Sequence, residues 1–484
     1  MALLGLAPVL FAAPSADAGP GAAASHGKAG RTARHPLRGR RVPPRKAGAA
    51  SGFTVLHAVP SGASFRVTEP PVGLSIEYPT MAADLGSGPC PPPSLVSALR
   101  QLGSPPLSLG GDSQDLTIPS GARPTGPPSW QSETLYTLPS AFWSQLHCLL
   151  AATSEPLDAG LNAKLGNLAW TEQMAAGAAS AATNGLELSL GNEPDLYYLP
   201  NYVSLAAPQI NDEAQAATLY LHVAQYLEQG VTGQSLIGPE LASAQDWRRQ
   251  LPRIVGGLHL QSLGVHLYPT TACGGKLTTE ELLSPTVGAA PSALSWVVTD
   301  ANGQHIPAII SEANSASCGG EPGVSDSPAA AVWAVRFVLS ALKTGFREVR
   351  FHFSNGAYDP FVMEGSTLVT RPLESALASL NHWLPAGTSV RALTGLSGVL
   401  ATAVSGSPAG VQLILDNEQP WACIVSMGGA LSAHVEEFTA THSGPQGVSL
   451  RTEAGVMKLV IPGNTVAAVA PSTAPAQAAG SGRR

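Results

Sequence analysis

The sequence predicts an α/β protein: a (β/α)8 barrel with a C-terminal β-sandwich module. Three observations carry this. Between residues 72 and 353, eight short apolar runs alternate with Ala/Leu-rich stretches of helical period. Beyond about residue 388 the helical period disappears and short alternating runs follow at turn-punctuated spacing. Nearly all of the eight runs end in polar side chains, as the C-terminal strand ends of a working barrel do. At 484 residues the chain has room for a large domain and a companion.

The elements follow in order. Residues 1–18 read as a secretory signal peptide, an apolar segment ending in the A-x-A pattern Ala16-Asp17-Ala18, although a positively charged start is missing. Residues 19–51 read as a basic Pro/Arg-rich linker, too poor in apolar residues to fold. Eight basic residues and one acid fall within residues 1–46, so residues 47–484 carry 18 basic and 32 acidic residues, a net charge of −14. Such a body is unsuited to gripping nucleic acid. No apolar run reaches the roughly 18 residues of a membrane span.

Residues 52–70 hold two short alternating runs, "FTVLHAV" and "SFRV", expected to join the sheet of the β-module. The barrel is expected over 71–387. Its strands are "GLSIEY" (73–78), "PLSLGG" (106–111), "LNAKLGN" (161–167), "LELSLGN" (186–192), "SLIGPE" (235–240), "LGVHLY" (263–268), "PAIISE" (307–312) and "EVRFHF" (348–353). Helices are expected in "TEQMAAGAASAAT", "DEAQAATLYLHVAQYLEQG" and "PAAAVWAVRFVLSALKTG". The sandwich, 388–471, is drawn from "GVLATAVS", "GVQLILDN", "ACIVSMG", "HVEEFTA", "GVSLRT" and "MKLVIPG", with a frayed tail over 472–484.

The polar residues at the barrel strand ends are Glu77 and Tyr78, Asp112 and Asp115, Asn167, Asn192 and Glu193, Glu240, His266 and Tyr268, Glu312 and Asn314, and Asn355 and Tyr358. A purely structural barrel has no reason to crowd carboxylates there, because like charges repel and burial raises their pKa. Glu193 ends the fourth run and Glu312 the seventh. Two carboxylates facing each other across a barrel mouth suit glycoside hydrolysis, one protonating the leaving oxygen and the other attacking the anomeric carbon. Neither needs a metal or a cofactor.

"LGNEPDLY" (190–197) and "IISEANSASCGG" (309–320) resemble the acid/base and nucleophile motifs of glycoside hydrolase family 79, the β-glucuronidase and heparanase-like enzymes of clan A. "GLSIEYP" (73–79), "LSLGGDSQD" (107–115) and "VHLYP" (265–269) resemble that family's first, second and sixth strand ends. The resemblance implies a retaining mechanism on β-glucuronides. Glu193 would be general acid and then base, with a raised pKa, and Glu312 the nucleophile. Asn192 would bond the sugar 2-hydroxyl and Tyr268 would orient Glu312. Glu77 and Asp112 read either as holders of ring hydroxyls or as caps of neighbouring helices. His266 reads as a packed barrel histidine or as part of the site.

Two departures stand out. Clan members commonly carry Arg in a second-strand motif like "RIGG"; here the motif is "SLGG", with Ser108 at that place. Some glucuronidases carry Tyr and Lys beyond the nucleophile; here Ser317 and Cys318 stand there. Tyr358 and the backbone amides of Asn355 to Ala357 are the candidates left to receive a uronate carboxylate. A retaining enzyme for a neutral sugar, a sugar-binding barrel without chemistry and a tethered envelope protein stay open as other readings. The expected partner is a glucuronide-bearing glycan or glycoconjugate, handled by a secreted monomer.

The five cysteines, Cys90, Cys148, Cys273, Cys318 and Cys423, include no C-x-x-C pair, which argues against zinc and fits an oxidising compartment. Cys273 and Cys318 follow adjacent barrel strands and each precedes Gly-Gly, so a disulfide between them is expected. Two packed thiols are the alternative.

Overall fold

The computed structural model describes residues 54–55, 58–123, 135–199, 210–230, 235–365, 367–428, 432–440, 450–453 and 456–472. The expected signal peptide, linker and tail beyond 472 lie outside the described residues. Eight parallel strands close into a barrel: β1 (Val72–Glu77), β2 (Leu107–Gly110), β3 (Leu157–Leu161), β4 (Leu186–Leu190), β5 (Ser235–Leu241), β6 (Leu260–Leu267), β7 (Ala308–Ala313) and β8 (Val349–Phe353). Each pairs with its sequence neighbours, and β8 returns to β1. Parallel neighbours cannot be joined by a tight hairpin, so helical crossovers cover the barrel's outside.

One strand is displaced from its sequence-based position. β3 is "LDAGL", not the run at 161–167. Asp158 hides it, because a carboxylate inside an apolar run speaks against a buried strand. The structure gives that carboxylate a buried arginine partner, Arg350 of β8. The asparagines after β3 do loop work instead. Asn162 Oδ1 accepts from the Leu165 amide at 3.0 Å, and Asn167 caps the helix Leu168–Ala181, accepting from Trp170 N at 3.2 Å.

The C-terminal strands form two antiparallel sheets. The six-stranded one runs in the order Ser432–Thr439, Thr465–Ser472, Leu413–Asn417, Leu400–Ser405, Ser389–Thr394 and Val59–Arg66, so a segment preceding the barrel forms its edge. Ser389–Thr394 and Thr465–Ser472 escape the sequence reading. The smaller sheet holds Thr54–Val55, Cys423–Gly428, Val456–Ile461 and Leu450–Glu453, the first of these pairing in parallel with the second. Leu413, Leu415 and Val469 of one sheet meet Val425, Leu459 and Ile461 of the other in one apolar cluster, as period-2 alternation requires.

The large sheet's other face packs on the barrel. Val390, Val404, Ile414, Phe438 and Val466 belong to the barrel's own core cluster. The helix Pro328–Thr344 lies between, which explains why it is apolar nearly all round. Its buried Arg336 clasps the module: Nε donates to Asp416 Oδ1 at 2.9 Å and Nη2 to the Asn417 carbonyl at 3.2 Å. Among the described residues, no helix is long and apolar enough to cross a membrane.

Candidate active site

The C-terminal ends of the strands converge on Glu193 and Glu312. Glu193 follows β4 in a sharp turn. Gly191 has φ 67°, and a Cβ there would collide with the Tyr197 hydroxyl. Glu193 itself sits in the left-handed region at φ 47°, a conformation that costs a non-glycine residue about 1–3 kcal/mol. The surroundings hold it there. Its amide donates to the Glu240 carbonyl at 3.0 Å. Asp115 takes the Asn192 amide at 3.0 Å and the Tyr197 hydroxyl at 2.6 Å. Asp195 accepts from the amides of Ala242 and Ser243 at 3.1 and 2.7 Å, tying the turn to the end of β5.

Glu312 lies within β7 and is buried at 8% exposure. Tyr268 donates to its Oε1 at 2.8 Å. Two imidazoles flank it. His266 of β6 places Nδ1 3.1 Å from Glu193 Oε1 and 3.8 Å from Glu312 Oε1. His352 of β8 places Nδ1 3.4 Å from Glu312 Oε2 and Nε2 3.4 Å from Glu77 Oε1. His266 therefore does more than pack: one nitrogen serves both carboxylates.

The charges follow from these contacts. Burial alone would raise the Glu312 carboxyl, but His352, His266 and Tyr268 outweigh burial and hold it below the ordinary carboxylate value. Burial would lower the His266 imidazole; Glu312, Glu193 and Glu240 outweigh it and lift it to about 10. Against the same burial, Glu312, Glu77 and Asp112 lift His352 to about 9. Both imidazoles are cations at neutral pH, set among carboxylates.

The remaining sequence candidates separate into two groups. Glu77 accepts from the amides of Asp112 and Ser113 at 3.1 and 2.8 Å, so it does cap the turn after β2 while also facing His352. Asp112 Oδ1 accepts from Asn192 Nδ2 at 3.0 Å, and Asn192 Oδ1 is buried without a hydrogen-bond partner among the described residues. Tyr358 is buried beside Tyr268 and His352, its hydroxyl 3.2 Å from Ser354 Oγ. Others are structural. The Tyr78 hydroxyl donates to the Gly160 carbonyl at 2.8 Å, and Asn314 Nδ2 donates to the His352 carbonyl at 2.7 Å. Asn355 Nδ2 reaches Thr80 Oγ1 at 3.2 Å.

Two of the three amides suggested as a carboxylate receptor are already taken. The Gly356 amide already donates to Asp359 Oδ1 at 3.1 Å, and that of Ala357 to the Gly319 carbonyl at 2.6 Å. Those amides have no donor left for a substrate. The loops after β6 and β7 are joined by the Cys273–Cys318 disulfide and by Ser317 Oγ donating to Thr271 Oγ1 at 2.8 Å. A second disulfide joins Cys90 to Cys148, whose pairing the sequence leaves open, and Cys423 is free.

No family model matches the chain, and no curated protein matches it. Solved structures do. A 4-O-α-L-rhamnosyl-β-D-glucuronidase from Fusarium oxysporum 12S, in complex with Rha-GlcA, matches with TM-score 0.67 at 18% identity, over 86% of this chain and 99% of that one. The GH51 arabinofuranosidase of Xanthomonas axonopodis pv. citri matches with TM-score 0.58 at 13% identity, over 85% and 98%. The catalytic domain of GH30 xylanase C from Talaromyces cellulolyticus matches with TM-score 0.55 at 13% identity, over 86% and 99%. The fold is that of these glycoside hydrolases. At such identities the likeness carries the architecture, barrel and β-domain together, and the chemistry rests on the side chains.

The buried ionisable groups set a pH dependence of stability. Burial raises Glu155 to about 8 and Asp195 to about 7, and the two histidines are also raised. A group raised in the folded state stabilises it fully below the unfolded value and loses that contribution as pH climbs to the folded one. For the acids the loss runs from about 4 upward, and for the histidines from about 6.5 upward. Thermal midpoints should therefore peak in mildly acid buffer and fall steadily towards pH 10. A midpoint that rises between pH 6 and 9 would contradict this.

Proposed function

We propose that the chain is a retaining β-glycosidase of the family 79 type, exported to an oxidising compartment and cleaving β-glucuronide linkages. The observation that carries the mechanism is the shared contact at His266. Its Nδ1 lies 3.1 Å from one carboxylate oxygen and 3.8 Å from the other, so those oxygens are at most about 7 Å apart. Retention calls for carboxyl groups about 5–5.5 Å apart and inversion for about 6.5–9.5 Å, and two carboxylates sharing one imidazole nitrogen support the closer spacing.

Glu193 gives its proton to the glycosidic oxygen while Glu312 attacks the anomeric carbon. The aglycone leaves as a neutral alcohol and a glycosyl ester forms on Glu312. Water then gives a proton to Glu193 and its oxygen to the anomeric carbon, releasing Glu312. The low pKa of Glu312 keeps the nucleophile ionised. Asn192 Oδ1, buried and unpartnered among the described residues, is an acceptor suited to a sugar hydroxyl. Tyr268 holds Glu312 at 2.8 Å. Two disulfides suit export.

Glucuronide as substrate is supported by the motif resemblance and by the Fusarium glucuronidase among the structural matches. A neutral β-glycoside is the second reading, favoured by the occupied amides of Gly356 and Ala357. Aryl β-glucuronide and aryl β-glucoside assayed side by side separate them. The expected result is at least about tenfold higher kcat/KM for the glucuronide, a discrimination of about 1.4 kcal/mol. Equal or better turnover of the glucoside favours the neutral sugar. Binding of both without turnover of either would leave a sugar-binding barrel.

A further inference from the structure

We propose that His352 is the positioning cation of the nucleophile, filling the place that the missing second-strand arginine leaves, and that Glu77 and Ser75 fix it there. This rests on the reading of Glu312 as nucleophile.

The geometry is two-sided. His352 lies between two carboxylates, Nδ1 facing Glu312 Oε2 and Nε2 facing Glu77 Oε1, each at 3.4 Å. Ser75 Oγ sits 3.0 Å from Nδ1. With a proton on both nitrogens, Nδ1 can donate to Ser75 Oγ while Nε2 faces Glu77, and Glu312 is held beside the ring by charge. Its far anchor is itself fixed, since Glu77 accepts the Asp112 and Ser113 amides. Asn314 Nδ2 holds the His352 carbonyl, so β7 and β8 are locked in register beside the nucleophile. The ring is 4% exposed, in surroundings where a charge–charge contact is weakly screened.

Ser108, which stands where clan members commonly carry the arginine, has another partner. Ser108 Oγ donates to Asp158 Oδ2 at 2.9 Å, so its hydrogen bond goes to the buried carboxylate of β3 and not to Glu312. His352 therefore supplies charge to the nucleophile from β8 rather than β2. An arginine is permanently charged, whereas an imidazole is not, so this nucleophile's cation can be switched off by pH.

Other groups set the field around the pair. Facing Glu312 are His266 and Tyr268 from β6 and its loop, with Glu193 from the end of β4 and Glu240 from β5. Facing His352, besides Glu77, are Asp112 from the turn after β2, the Tyr358 ring and the buried Asp359 beyond β8. His266 is shared with Glu193, so His352 is the cation that serves the nucleophile without serving the acid.

The test is the pH profile of His352→Gln on whichever aryl β-glycoside the wild type turns over. An opposite charge at this range lowers a carboxyl pKa by about 1–3 units. The acid limb of kcat/KM should therefore move up by at least about one pH unit, with kcat falling far more at pH 5 than at pH 8 and KM nearly unchanged. His352→Arg should return the limb most of the way. A uniform loss across pH, with the limb unmoved, makes His352 a packing residue and overturns the proposal. Should His352→Gln fail to fold, Ser75→Ala is expected to move the limb the same way by a smaller amount, and an unmoved limb there overturns it too. Glu312→Gln is assayed alongside. If that variant stays active, the nucleophile assignment fails; if it is dead while the His352→Gln limb stays put, only the present proposal fails.

Discussion

Glu312→Gly should lose at least about 10³-fold in turnover and yet be revived by azide as an α-glycosyl azide. The small anion enters the space of the missing carboxylate and attacks from the same face, so the product has inverted configuration. Glu193→Ala should behave differently. Without the acid, cleavage of a poor leaving group falls by about 10²–10⁴-fold, while a dinitrophenyl glycoside, which leaves unaided, is still cleaved to the glycosyl ester. Azide should then attack that ester and give the β-azide, with configuration retained. The two azide products assign the two carboxylates independently, and one analysis of the products by proton NMR reads both. The same anomer from both variants would exclude this division of labour. Their shared neighbour His266, 3.1 Å from Glu193 and 3.8 Å from Glu312, is why both substitutions must be made in the presence of an intact imidazole.

The barrel is legible in the sequence from its eight runs, seven of which coincide with its strands. Glu193 and Glu312 are legible because both break a pattern: each is a carboxylate closing an apolar run, in a chain order that fits opposite sides of a barrel mouth. The left-handed backbone at Glu193 is hinted at by Gly191 and Pro194 on either side, although neither states it. His352 was missed although a signal existed. In "VRFHF", Arg350 and His352 alternate with Val349, Phe351 and Phe353, and period 2 puts both polar side chains on one face of the strand. Because β8 sits in a barrel, that face is the interior. The third strand was misplaced for the complementary reason: Asp158 looks like a loop residue until its partner, 192 positions away in sequence, is known. Contacts between distant elements are what local periodicity cannot report. The wiring of Glu77 belongs to the same class, since capping the β2 turn and facing His352 both depend on the barrel having closed.

Arg350→Met should destabilise the chain more than any single change at the barrel mouth. The guanidinium is 2% exposed and lies on the inner side of β8, towards the end of the barrel opposite the mouth. It contacts Asp158, donates from Nε to Glu348 Oε1 at 2.8 Å and reaches Glu187 Oε2 at 3.2 Å. Asp158 and Glu348 are buried at 2% and 1% exposure, and Asp158 Oδ1 and Glu348 Oε2 have no hydrogen-bond partner among the described residues. The carboxylates thus depend on one cation. Removing it leaves buried charges uncompensated, a cost of about 3–5 kcal/mol, against a net stability of about 5–15 kcal/mol for a typical domain. The urea midpoint should fall sharply. Replacing the cluster together, Arg350→Met with Asp158→Leu and Glu348→Leu, should recover much of the loss, because well-packed apolar groups avoid the desolvation of all three. That reversal separates electrostatic dependence from simple loss of packing volume, which the triple variant would not repair. If Arg350→Met unfolds at the wild-type urea concentration, the cluster does not hold the barrel. His352 is two residues further along the same face, so any loosening of β8 at Arg350 should also appear in the pH profile of the nucleophile.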